Sequence, residues 1–265
     1  MKKKSRQKRK YRCKPLGQVH RRLRVWYESS LGRRLLELEC QYLNSVLSNL
    51  FGYHLLQAGV MADEDLLAAS RISHRVILDK NLDDGVRDDL KKRGVYGIPE
   101  MLPVASDTLD VLVLPHTLEF SEDPHQVLRE AGRALIAEGH LVILGFNPWS
   151  LWMLWHLVLG WRGQPPWCGY FYSSSRIKDW LSLLGFDIIY HRNYFFRPPL
   201  QHDGVMNKLR FIETLGNRFW PILGAGYVLV AKKRVAALTP IRPRWRPRRS
   251  FVQTGVAEPQ NMKYG

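Results

Sequence analysis

Apolar residues along this chain follow two alternating rhythms. Between 35 and 50, Leu36, Cys40, Leu43, Leu47 and Leu50 recur at alternating steps of four and three, which gathers them on one helix face. Gly52 ends that pattern. Short apolar runs follow, as strands require: HLLQAG (54–59) closed by Gly59, HRVILD (74–79) closed by Asp79, and VYGI (95–98). Two continuous runs, LDVLVLP (109–115) and HLVILGF (140–146), suit strands covered on both faces. Between them, helical stretches are expected at 63–70, at 82–93 and after Asp123, where Asp-Pro suits an N-cap and first-turn pair. Val127, Leu128, Ala131 and Leu135 face inward from that last helix, which Gly139 terminates. A further helix opens at 173–175 and carries Ile177, Trp180, Leu181 and Leu184; long strands follow at 186–196 and 226–233, with a helix-like 205–219 between them.

Four consecutive strand-then-helix units predict an α/β domain with a mainly parallel sheet and helices on both faces. The expected layout is a basic disordered arm at 1–24, a domain at 25–234 and a basic Pro/Arg-rich tail at 235–265. Within the domain we expect an N-terminal helix (33–50), a core (54–146), an aromatic cover segment (147–172) and C-terminal strands (186–233).

Charge sharpens that layout. The net +16 is unevenly spread: residues 1–24 hold 12 Lys/Arg and no acid, and 231–265 hold 9 Lys/Arg against Glu258 alone. The remainder has 19 bases and 23 acids, so a slightly acidic globule carries two basic arms. Cys13, Cys40 and Cys168 are widely spaced with no C-x-x-C, which argues against a disulfide framework or a zinc site. The basic start is followed by no apolar h-region, and the most apolar stretch, 151–159, is far short of the roughly 20 residues that cross a bilayer. The expectation is therefore a cytoplasmic protein with no transmembrane segment.

The block 99–146, PEMLPVASDTLDVLVLPHTLEFSEDPHQVLREAGRALIAEGHLVILGF, carries a denser signal. Leu102-Pro103, Leu109-Asp110-Val111, Leu118-Glu119-Phe120, Asp123-Pro124, Leu128, Glu130, Arg133, Leu135, Gly139 and Leu141 all fall at matching spacings. In these residues the chain resembles class I S-adenosylmethionine-dependent methyltransferases of the methyltransferase-11 type, from about His54 to Lys233. It is also similar to a little-characterised bacterial group of such proteins, in Trp26, Tyr27, Leu31, Gly32 and 35–39, and again in Asn147, Pro148 and 150–152. The resemblance implies a Rossmann-like, mostly parallel seven-stranded sheet and S-adenosyl-L-methionine as cofactor, lying across the carboxyl ends of the first strands.

It also implies roles for particular residues. The first strand-to-helix turn of the family, D-x-G-x-G-x-G, aligns with Gln57, Ala58, Gly59, Val60, Met61, Ala62 and Asp63, so Gly59 alone of the glycines remains. Asp79 would accept the ribose hydroxyls or, read without the family, cap the next helix. Glu100, Met101 and Leu102 align with the segment beside the adenine. Leu114, Pro115 and His116 should border the transferable methyl, with His116 the titratable group best placed to act as a base or else a plain loop histidine. Glu119 reads as structural, and Asp110 as orienting a strand edge. No metal site is expected, since no H-x-x-x-H or H-E-x-x-H occurs.

Trp149, Trp152 and Trp155 recur every three residues and form either a lid or stacking surface, a partner or membrane-surface patch, or ordinary core. The basic arms suit RNA or another polyanion by charge alone. Two functions follow: a methyltransferase of unknown acceptor, or a catalytically inactive methyltransferase-like module that binds nucleic acid or a protein partner.

Overall fold

The computed structural model describes residues 19–62, 64–80, 86–159, 164–199 and 210–234. In chain order these form α1 (Val19–Tyr27), α2 (Ser30–Leu47), β1 (His54–Ala58), β2 (His74–Asp79), α3 (Asp88–Lys91), β3 (Gly94–Tyr96), β4 (Leu109–Pro115) and α4 (Thr117–Phe120). They continue as α5 (Pro124–Ala134), β5 (Leu135–Phe146), α6 (Trp152–Leu159), α7 (Ser174–Leu183), β6 (Phe186–Tyr194), α8 (Arg210–Phe219), a 3-10 turn (Pro221–Leu223) and β7 (Gly226–Lys233).

The seven strands make one sheet in the order β3-β2-β1-β4-β5-β7-β6. The pairs among β3, β2, β1, β4 and β5 are parallel, and β7 runs antiparallel to both β5 and β6. Chain order reverses between β1 and β4, which leaves a crevice at their carboxyl ends.

Alternation along the strands divides the core in two. Leu55, Ile77, Val111, Val113, Val142, Leu144 and Val230 face the α2 side, packed with Leu31, Leu35, Leu43 and Leu47. Leu56, Leu78, Leu112, Leu114, Leu141, Ile143 and Leu229 face α5 and α7, against Val127, Leu128, Ala131, Ile177 and Leu181. Both faces are covered, which is why residues 111–115 of β4 and 141–146 of β5 read as apolar runs.

Local signals explain the helix starts. Ser29 accepts from the Gly32 amide at 3.1 Å, Asp123 from the Gln126 amide at 3.0 Å and Ser173 from the Arg176 amide at 3.3 Å. Asp123→Ala should cost about 1 kcal/mol, because the Gln126 amide loses its side-chain acceptor and keeps only the Asp123 carbonyl at 3.1 Å. A denaturant titration in which the midpoint does not move would remove that role. Asp110 Oδ2 accepts from the Tyr53 and His54 amides at 2.8 and 2.9 Å and so fixes the start of β1, the strand-edge role expected of it.

Several expectations are corrected. The segment 19–24, expected in the disordered arm, lies within α1, because Val19, Leu23 and Tyr27 form a buried stripe at steps of four. The helix expected at 33–50 runs Ser30–Leu47. Where a helix was expected over 63–70, residues 66–69 form a turn. Of the helix expected at 82–93, the described part is the single turn α3. Residues 1–18 and 235–265, which carry most of the arms, and Asp63 lie outside the described residues. Cys168 is disulfide-bonded, while Cys40 is free.

Candidate functional site

Gly59 leaves β1 at φ +104°, a left-handed conformation that glycine adopts without strain. Its amide donates to the Leu78 carbonyl at 2.7 Å, which ties the end of β1 to β2. Gln57 stiffens the turn from below, its Nε2 donating to the Gly59 carbonyl at 2.8 Å. One strand over, the buried Asp79 carboxylate accepts from the Val60 amide at 2.7 Å. An amide that the glycine-rich pattern would turn toward a bound carboxylate is here already held by Asp79.

Above this turn opens a cavity of about 450 Å³, lined among others by Gly59, Asp79, Gly97, Glu100, Thr117 and Phe120. Thr117 Oγ1 donates to the Ala58 carbonyl and thereby joins α4 to the end of β1. Ser121 Oγ donates to Glu100 Oε1 at 2.5 Å and fastens the far wall. The lining holds the acids Asp79, Glu100, Glu122 and Asp123 with Lys80 as its base, so the wall carries an excess of negative charge.

Of the residues expected here, Gly59, Asp79 and Glu100 line the cavity. Gln57 shapes it from beneath. Leu114 and Leu102 are buried in the α5-side core, and Met101 is largely exposed. The amides of Met101 and Leu102 are both engaged, with the Ile98 carbonyl at 3.1 Å and Glu130 Oε2 at 3.1 Å, so neither is placed to read a ring edge. Thr117, Phe120 and Ser121 were missed as lining residues, although they sit within the 99–146 block that carried the resemblance.

Met61 bears directly on whether the cavity survives its missing glycines. Its side chain is buried in the α2-side core with Val60 and Ala62 and does not line the cavity. Its Cε lies 3.2 Å from where a Cβ at Gly59 would stand. Gly59→Ala should therefore strain the turn and press on Met61, and we expect a loss of about 1–3 kcal/mol in stability together with weaker ligand binding. Melting curves of the variant that match the unmodified chain would contradict this.

His116 sits elsewhere than expected. It too has positive φ, +50°, and its ring turns inward under α2, fully buried, with its centroid 4.1 Å from that of the Phe146 ring and the two planes tilted by 32°. Nε2 lies 2.9 Å from Glu39 Oε1, and Nδ1 lies 3.3 Å from Glu119 Oε1. Burial pushes the imidazole pKa down, but the two carboxylates outweigh it and raise it to about 10. A ring that is protonated near neutrality and held on both nitrogens is not a base for substrate, so the catalytic expectation for His116 gives way to an interior ionic hub.

Glu39 completes that hub and was not foreseen. It also accepts from Tyr27 Oη at 3.0 Å and Tyr194 Oη at 3.2 Å. Glu119 Oε1 accepts from the Phe146 amide at 2.6 Å, so the structural reading of Glu119 holds. Among the described residues no group of three or more His, Cys, Asp or Glu side chains is placed to hold a metal ion.

An open α/β sheet of this strand order binds ligands in the crevice at the carboxyl ends of its strands, where Gly59 and Asp79 line the cavity. Comparison with known proteins bears on the family and the fold. A family described as "Methyltransferase domain" matches residues 66–143. The uncharacterized protein YafS of Escherichia coli is 35% identical over 209 residues, 79% of each chain. The chain belongs to the family that includes YafS, and its residues 66–143 match the methyltransferase domain. Among solved structures, a methyltransferase of Thermotoga maritima superposes with TM-score 0.52 at 18% identity, covering 82% of this chain and 91% of its own. The geranyl diphosphate C-methyltransferase of Streptomyces coelicolor, solved with S-adenosyl-L-homocysteine, gives 0.53 at 16%, covering 77% and 80%. These two likenesses concern the fold.

The residues present fit the cofactor. Asp79 places an acceptor-only carboxylate in the cavity wall, a group that suits the hydroxyls of a ribose. The acidic lining suits a ligand whose sulfonium and ammonium outweigh its single carboxylate. The cavity volume falls within the ordinary range of roughly 300–1,000 Å³ for small-ligand sites.

Proposed function

We propose that the crevice above Gly59 and Asp79 holds the adenosyl end of S-adenosylmethionine and that the protein methylates an acceptor brought to the same mouth. When bound, the cofactor supplies an electrophilic methyl on sulfur, so the chain need mainly position a nucleophile in line with it. Asp79 would take the ribose hydroxyls, Leu78, Gly97 and Ile98 would flank the adenine, and Phe120 would exclude water from the far side. Glu100, fixed by Ser121, would face the polar edge of the ring. Gln57 keeps the turn at Gly59 open, and Thr117 anchors the wall between the crevice and the interior. His116 stays out of the chemistry and holds α2 to the strand ends.

The observation that carries this reading is the buried Asp79 carboxylate at the end of β2, facing a cavity of about 450 Å³ across a positive-φ glycine. The donor is a cytoplasmic metabolite, and the cytoplasm is the compartment that goes with it. Among the described residues no helix is long and apolar enough to cross a membrane.

Titration calorimetry of the full chain with S-adenosylmethionine and with S-adenosylhomocysteine tests the proposal. Saturable heat at one site is expected with each ligand, with adenosine binding more weakly. No heat and no thermal shift with either ligand at millimolar concentration would sink it, and would leave the inactive binding module standing.

A further inference from the structure

The carboxyl end of the sheet carries more exposed apolar surface than an α/β domain of this kind needs. Trp149, Leu154 and Val158, in or just before α6, are each more than half exposed, and Leu151 and Leu157 nearly so. Phe219, Trp220 and Ile222, at the end of α8 and in the 3-10 turn, are each more than half exposed as well. The two segments are stitched together. β5 ends opposite the start of β7, with Phe146 paired to Gly226. Asn147 then donates its backbone amide to the Ala225 carbonyl at 2.8 Å and its side-chain nitrogen to the carbonyls of Ile222 at 2.6 Å and Gly224 at 2.9 Å. Both apolar segments therefore sit at one end of the sheet, the end where the crevice opens.

Positive charge enters at the same place. The Trp26 ring of α1 meets the Trp152 ring of α6 edge-on at 6.1 Å. Arg21, Arg22 and Val25 of α1 line a shallow hollow with Gln164 and Pro165, and Arg21 and Val25 are exposed. The chain that leads into α1, residues 1–18, holds nine Lys/Arg and no acid.

From this juxtaposition we infer that the crevice end of the domain docks on the surface of an anionic lipid bilayer, with α6 and the 219–223 segment entering the headgroup layer and Arg21 and Arg22 of α1 held against the anionic lipids. Indole rings at an interface, aliphatic side chains beneath them and Lys/Arg beside them are what such a surface selects. The aliphatic share decides against nucleic acid. Trp149 and Trp220 could stack on bases, but Leu154, Leu157, Val158 and Ile222 have no favourable partner on a polyanion and do have one among acyl chains.

The full chain, mixed with vesicles of phosphatidylcholine alone or of phosphatidylcholine with phosphatidylglycerol, tests this by co-sedimentation and tryptophan emission. Binding to the anionic vesicles should be at least about tenfold tighter, because several basic side chains each contribute near the surface. Emission should shift to the blue, and lipids brominated along the acyl chain should quench it. Leu154→Glu with Val158→Glu should lower vesicle affinity about tenfold or more, as charge is driven into the layer, and should leave the affinity for S-adenosylhomocysteine unchanged. The quenching needs no variant, so it reads the same surface if the double variant does not fold. The inference is overturned by an absence of sedimentation with anionic vesicles, by the absence of quenching, or by a double variant that binds vesicles as before. It is equally overturned by self-association of the free chain that buries these indoles, or by uptake of a homopolymeric RNA in preference to vesicles. Ligand titration without vesicles reads the crevice separately, so the two readings can fail independently.

Discussion

Replacing Asp79 with asparagine should weaken S-adenosylmethionine binding by about tenfold to a hundredfold while the chain stays folded. Hydrogen bonds to a charged group contribute about 1.5–3 kcal/mol against roughly half that for a neutral one, and about 1.4 kcal/mol is a factor of ten in affinity. An asparagine oxygen can still accept from the Val60 amide, which the aspartate now holds at 2.7 Å, so the turn after β1 keeps its shape. Asp79→Ala would do more damage. It strips the partner from a buried amide and should cost about 1–3 kcal/mol of stability in addition. Calorimetry and thermal melts on the two variants separate the effects. An asparagine variant that binds ligand as tightly as the unmodified chain would mean that the ribose lies elsewhere.

The largest loss of stability is expected from Glu39→Ala. That carboxylate accepts from His116, Tyr27 and Tyr194, all deeply buried, and its removal leaves a protonated imidazole beside Glu119 alone and two hydroxyls without their acceptor. Breaking a buried ion pair by deleting one partner costs about 3–5 kcal/mol. For a domain of this size that is a fall in melting temperature on the order of 10 °C. Glu39→Gln, which keeps an acceptor, should lose less.

The same cluster sets a pH dependence. The His116 pKa is raised to about 10 in the folded chain, against about 6.5 in an unfolded one. The stability it contributes is therefore complete below about pH 6.5 and is lost progressively as pH rises through the folded value. The unmodified chain should accordingly lose stability between neutral and strongly alkaline pH, with a shallower slope in His116→Gln. Parallel slopes in the two proteins would show that the ring is not charged.

The centre of the fold was open to sequence reading because its signals are local. Residues 111–115 of β4 and 141–146 of β5 are apolar runs, and Asp123-Pro124 announces α5 in two residues. Where charge dominated the window, the reading went wrong. Arg21, Arg22 and Arg24 made 19–24 look like an arm, although Val19, Leu23 and Tyr27 mark a buried helix face. His116 illustrates a different limit. Its position after β4 suggested chemistry, but its partner Glu39 lies 77 positions away on another helix. A signal did exist: Glu39 falls three residues after Leu36 and four before Leu43, on the apolar stripe itself, and a carboxylate there needs a buried partner. Which partner could not be read from spacing. The Trp-rich segment divided between two readings. Trp152 is core, ringed by Trp26, Phe146, Trp167 and Phe195, while Trp149 stands in solvent, a split that depends on the packing of distant strands.

The degenerate glycine turn remains the feature on which the enzyme reading balances, and crystals of the full chain grown with S-adenosylhomocysteine test it most directly. The account predicts density for the ligand between Gly59, Asp79 and Gly97, with the ribose hydroxyls on the Asp79 carboxylate and the Met61 side chain still in the α2-side core. Density showing that crevice filled by protein side chains, or the ligand bound at another place with Asp79 untouched, would contradict it.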